Sequence, residues 1–204
     1  MNRMPTKLMF ATAMAVVAFT LSTTPSHAQK IYVVQDGRTT LTMSKVLLAD
    51  LATIGATPAP VAGSQLLSNQ IYFPITSGAI SLETAAGQML HSGGININTA
   101  TKQVKLDSFI VNTIGEESFV TALVVVDGKF LGRIKMFDLT LPSDLTLPID
   151  PKSGDFFLGG VRWNLDPEGA AALNDAFGTK IFADDLFIGD SLSLVFVPLN
   201  ADGQ

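Results

Sequence analysis

Apolar and polar residues alternate along most of this chain. Ile71, Phe73 and Ile75 interleave with Tyr72, Pro74 and Thr76; Ile95 and Ile97 with Asn96 and Asn98; Val104 and Leu106 with Lys105 and Asp107. A period of two puts one set of side chains on a buried face and the other in water, so these stretches predict strands. Ile31 to Val34 and Arg38 to Met43 read the same way, around Asp36-Gly37, a dipeptide that favours hairpin turns. Val120 to Val126 is almost continuously apolar, which predicts a strand covered on both faces. Asp127-Gly128 then links it to a partner strand, Phe130 to Phe137, as the strongest hairpin signal in the chain. Ser77-Gly78, Gly93-Gly94 and Gly115 add turn signals at the spacing of sandwiches and barrels. Leu192, Leu194 and Phe196 alternate with Ser191, Ser193 and Val195 in a closing strand.

The period changes twice. After Ser44, a plausible N-cap, Val46, Leu47, Leu48, Leu51 and Ile54 recur at three- and four-residue spacing up to Gly55. Asp166 caps a second helix with Pro167 at its first position, an apolar stripe from Ala171 to Phe177, and Gly178 as the stop. Both segments run in the order apolar residue, cap, helix, Gly. Thr57-Pro58-Ala59-Pro60 predicts an extended connector, and Leu141 to Gly154, with three prolines, a loop or lobe boundary. The expected fold is therefore mainly β: an antiparallel β-sandwich-like or open-barrel domain with two short α-helices.

The start of the chain changes the compartment. Arg3 and Lys7 precede an uncharged apolar run, Leu8 to Leu21, and Ser26-His27-Ala28 has small residues where a signal peptidase needs them. Residues 1–28 thus read as a cleaved signal peptide and 29–204 as a single secreted domain, with no later transmembrane segment. The expected location is secreted, periplasmic or cell-surface. The formal net charge is −5, and loss of Arg3 and Lys7 makes the remainder still more acidic. Such a surface has no cationic patch with which to bind nucleic acid. The absence of Cys removes disulfides, thiol catalysis and thiolate metal sites together.

The stretch from Ile75 to Thr113 resembles a family of secreted, β-rich bacterial proteins. The matching features are Gly78, Gly87, the turn His91-Ser92-Gly93-Gly94, and the apolar strand Leu106 to Thr113; Asp166 to Gly189 follows in the same order. That family is distantly similar to the HtaA-type domain, an extracellular β-rich module associated with haem capture. The resemblance implies a β-rich fold and haem as a candidate cofactor, bound through Tyr and His side chains near the iron.

After cleavage His91 is the only imidazole, so His₂ and His₃ metal sites are excluded. It reads either as an axial ligand or as a strand-end residue bonding the Gly93-Gly94 turn. Tyr32 and Tyr72 are the only tyrosines; each reads as a phenolate ligand or as a packed ring with a wet hydroxyl. Asp184, Asp185 and Asp190 do not have the spacing of a calcium loop and read as a solvated turn. Trp163, Phe156, Phe157, Phe182 and Phe187 read as core. No nucleophile elbow or phosphate loop occurs. The sequence thus points to a non-enzymatic binding or surface-associated module, with haem or another small apolar ligand as its partner. The alternative is a structural or adhesive component bound to envelope polymers.

Overall fold

The computed structural model describes residues 30–151 and 154–198; the leader and its cleavage site lie outside them. The elements are β1 (Tyr32–Val34), β2 (Asp36–Met43), α1 (Lys45–Thr53), β3 (Thr57–Pro60), β4 (Gln65–Leu67), β5 (Gln70–Ile80) and β6 (Gly87–His91). They continue with β7 (Gly94–Asn98), β8 (Gln103–Asn112), β9 (Phe119–Val126), β10 (Lys129–Thr140), β11 (Asp155–Leu165), α2 (Pro167–Phe177) and β12 (Phe187–Phe196). The mainly β expectation with two helices holds, but the sheet is neither a sandwich nor open. It is a closed antiparallel barrel of eight strands with further strands attached.

Closure depends on β5. Residues 70–75 of β5 pair with β2, while 75–80 pair with β6. β6 in turn pairs with the end of β8, so the order β5-β2-β12-β11-β10-β9-β8-β6 returns to its start. Gly87 makes this seam possible: a Cβ there would collide with the backbone of Ala79 and Ile80. At Ser92-Gly93 the chain leaves the seam, and β7 continues along β8 with β3 beside it. The connector Thr57–Pro60 is thus extended, as an edge strand blunted by two prolines.

Two turn expectations and one strand expectation are corrected. Asp36-Gly37 is not a hairpin, because β1 and β2 pair with β5 one after the other and run the same way. Ser77-Gly78 lies inside β5, in the stretch shared with β6 and β1. Val120 to Val126 is not covered on both faces: Val120, Ala122 and Val124 are buried, and the outward Leu123 and Val125 are only half-buried. Apolar residues on the wet face concealed the alternation. Asp127-Gly128 does form the β9–β10 hairpin turn. The Pro-rich stretch 141–154 joins β10 to β11, which pair directly.

One row of rings spans the lumen. Phe73 meets Phe109 edge-on at 4.9 Å, Phe109 lies 6.4 Å from Phe137, and Phe137 lies 5.4 Å from Trp163. Both helices close the same end, since each follows a strand that runs antiparallel to β12. Ser44 caps α1 by accepting from the Leu47 amide, and its hydroxyl donates to the Phe187 carbonyl. Asp166 caps α2 through the Glu168 amide and also pairs with Lys135, which bonds Asp138. Leu47, Leu51 and Leu173 then sit over the lumen, and a cavity of only about 40 Å³ is left among them.

Gly169 marks where α2 meets β10. Inside a helix Gly costs about 1 kcal/mol relative to Ala, yet a Cβ here would lie 2.6 Å from the Met136 carbonyl oxygen. Gly169→Ala is therefore expected to lower stability by about 1–3 kcal/mol despite its better helix propensity. Urea unfolding of the two proteins checks the sign.

Candidate functional site

β12 turns its faces opposite to what hydrophobicity alone would dictate. Ser191, Ser193 and Val195 are buried, whereas Leu192 and Phe196 are exposed. The inward hydroxyls are satisfied in pairs. Trp163 Nε1 donates to Ser191 Oγ at 2.9 Å, and Ser193 Oγ is hydrogen-bonded to Thr39 Oγ1 at 2.8 Å. Thr39 Oγ1 is also bonded to His91 Nε2 at 2.8 Å, so β12, β2 and β6 contribute to one polar string inside an apolar lumen.

His91 therefore sits inside the barrel at the end of β6, paired with Ile75 and bonded to Thr39 rather than to the Gly93-Gly94 turn. Its Nδ1 has no hydrogen-bond partner. Burial lowers its pKa from 6.5 to about 4, and the nearby backbone of Phe109 and Met89 opposes this only in part. The ring is neutral at neutral pH. The space beside the string, bounded by Thr39, Met89, Trp163, Ser191 and Ser193, is about 20 Å³. That is room for about one water.

The structure does not bring the three candidate ligands together. Tyr32 pairs with Ile80 at the far end of β5, five residues beyond the Ile75–His91 pair, or roughly 16 Å at the rise of a strand. Lys30 lies over its ring at 4.9 Å. Tyr72 lies between the buried Ile71 and Phe73 and so points outward, with its hydroxyl donating to Gln70 Oε1 at 3.0 Å.

Tyr72 does line a groove. On the outer wall, between β2 and the segment before β5, a depression of about 580 Å³ is bounded by Tyr72, Arg38, Pro74, Leu66, Leu67 and Gln65. Sequence reasoning missed Arg38. Its only signal was being the one basic residue of its strand, and the register places it beside Pro74, two pairs along from Tyr72 and Thr40 and on the same face. It forms no ion pair among the described residues. Two other depressions, of about 500 Å³ against α2 and about 270 Å³ at the end of α1, contain neither Tyr nor His. Among the described residues no group of three His, Cys, Asp or Glu could hold a metal ion, and no helix is long and apolar enough to cross a membrane.

No family model and no curated protein matches the sequence. Solved structures do. The C-terminal domain of HtaA from Corynebacterium glutamicum aligns with a TM-score of 0.63 at 14% identity, covering 82% of this chain and 99% of that domain. The fold is of the HtaA type. The N-terminal domain of HtaA aligns with a TM-score of 0.60 at 11% identity, over 81% of this chain and 98% of its own. HtaB from the same organism, a haem-binding protein, aligns at 0.57 and 10% identity, over 83% and 96%. Identities this low establish the HtaA-type fold and nothing finer.

Within this HtaA-type barrel His91 sets a pH dependence. Its folded pKa lies below its unfolded one, so the unfolded chain binds more protons between pH 6.5 and about 4. Stability contributed by the neutral ring is full above pH 6.5 and falls by up to roughly 1.4 kcal/mol per pH unit as pH drops towards 4. Urea unfolding at pH 7 and pH 5 is expected to show this loss in the native protein and a flatter profile in His91→Gln.

Proposed function

We propose that this chain is an exported, non-enzymatic ligand-binding module, and that its ligand is haem held in the outer groove by Tyr72 and Arg38. The carrying observation is the meeting of one phenol and one unpaired guanidinium on the wall of an open groove of mixed polar and apolar lining. Its volume lies in the range of small-molecule sites, about 300–1,000 Å³, whereas the lumen is filled. The donor set suits the group. A tyrosine oxygen is an established ligand of ferric haem, Arg38 can pair with a propionate, and Leu66, Leu67 and Pro74 offer apolar contact to the macrocycle. His91 fits poorly as a ligand, because its Nε2 is bonded to Thr39 and no haem-sized space adjoins it. The naming of HtaB as a haem-binding protein supports the same ligand class. Export rests on the leader ending at Ala28, and an exported product whose N-terminus is Gln29 is the expected result of sequencing it.

A second reading, a structural or adhesive envelope component, is favoured by the exposed Phe157, Leu192 and Phe196. Mature protein found wholly free in the medium, without self-association, counts against it.

Haemin titration separates the two. Micromolar haemin is expected to produce a shifted Soret band, weakened at least tenfold in affinity by Tyr72→Phe and severalfold by Arg38→Ala. His91→Gln is expected to leave the band where it is. No shift at micromolar haemin removes haem as the ligand; a band unchanged in Tyr72→Phe removes the groove as its site.

A further inference from the structure

We propose that the outer wall formed by β11, β12 and β2 is a homodimer interface, in which two copies pack face to face about a two-fold axis running across the strands. Leu192, Leu194, Phe196 and Phe157 share this wall, with Phe157 63%, Leu192 47% and Phe196 40% exposed. Neighbouring apolar side chains on one sheet face, turned to water while hydroxyls occupy the core, mark a contact surface.

The register specifies which copy-to-copy arrangement fits. From one end of the wall to the other, the outward rows are Asp155–Phe196–Asp36, then Phe157–Leu194–Arg38, then Gly159–Leu192–Thr40, then Arg162–Asp190–Thr42. A two-fold axis across the strands, between the second and third rows, sets the first row against the fourth of the other copy and the second against the third. Asp155 then meets Arg162, Phe157 lies over Gly159 and the Leu192 side chain that leans across it, and Leu194 meets Leu192. Each contact occurs twice, as an isologous interface requires. An axis along the strands would instead set Asp155 against Asp36. The acidic row thus excludes that alternative.

Asp155 and Arg162 are free to make the new pair. Neither has an ion-pair partner among the described residues. Arg162 stacks on the Phe187 ring at 4.1 Å and gives its Nε to Asn164, which fixes the guanidinium and leaves its other N–H groups unused. Three strands over four such rows, with their projecting side chains, cover on the order of 500 Å² per copy. The total, about 1,000 Å², is at the lower limit for a specific interface, so the dimer should form at micromolar rather than nanomolar concentrations.

Sedimentation equilibrium of the purified protein from about 1 to 200 μM tests this, with circular dichroism as a check that each variant is folded. The native protein is expected to pass from monomer to dimer across the range, and Leu192→Asp to stay monomeric. Asp155→Arg and Arg162→Asp should each weaken the dimer at least tenfold, and the two together should restore most of the loss by exchanging the charges across the axis. None of these substitutions alters Tyr72 or Arg38; because Arg38 also stands in the second row of the wall, haemin is titrated at the monomeric end of the concentration range, where its binding fails or holds independently of the dimer. A native protein monomeric throughout, a dimer insensitive to Leu192→Asp, or a double variant no better than the singles would each overturn the proposal.

Discussion

An eight-stranded barrel is just wide enough for its own side chains to fill, and that constraint governs what this molecule can do. The row from Phe73 through Phe109 and Phe137 to Trp163 occupies the lumen, and the two helices close one end over it. The residual voids of about 40 and 20 Å³ hold no ligand. The larger depressions lie outside the lumen, on the wall beside β2 and against the two helices. The candidate groove and the apolar rows of β11 and β12 both lie on that wall, on adjoining parts of one sheet face.

The polar string inside the barrel follows from the same constraint. Burying Thr39, His91, Ser191 and Ser193 costs solvation unless the groups bond one another. Ser193, Thr39 and His91 do so across three strands, and Ser191 instead accepts from the Trp163 indole N–H. The unpartnered Nδ1 of His91 is the one open position in this network, and it lies where the ring cannot easily take a proton. Through Thr39, His91 ties β6 to β2 inside the barrel. The HtaA-type fold recurs here at identities of 14% and below, so what is shared is the way the sheet closes, and the side chains on its wall are this chain's own.

Much of the fold was legible because local signals and tertiary need agreed. Ser44 and Asp166 cap helices where the period changes from two to about 3.6, and Asp127-Gly128 turns a hairpin. Closure was not legible. It depends on β5 serving β2 and β6 in succession, and nothing in the alternation of Ile71, Phe73 and Ile75 tells how many partners a strand has. Asp36-Gly37 misled for a related reason: the dipeptide signals a change of direction, but here it separates two strands laid end to end on the same neighbour. Of the site, Tyr72 could be named from its scarcity. Arg38 could not, because its proximity to Tyr72 arises only when β2 and β5 pair in their particular register.

The facing of β12 shows how inside and outside are coupled. A slip of one residue would carry Leu192 and Leu194 inward in place of Ser191 and Ser193, and burying each leucine is worth about 1.5–3 kcal/mol. Against that gain, the slip would leave the Trp163 indole N–H without its partner and take from Thr39 its bond to Ser193, while the Thr39–His91 bond would remain; a buried group left unsatisfied costs roughly 1–3 kcal/mol. The gain from two leucines exceeds that loss, so full pairing of β12 with β11 on one side and β2 on the other is what decides for the observed register. With that register fixed, the hydroxyls face the lumen and Leu192 faces the surface. Ser191 and Ser193 thus give buried Trp163 and Thr39 partners that an apolar strand would not, and the same facing leaves Leu192 and Phe196 on the outer wall.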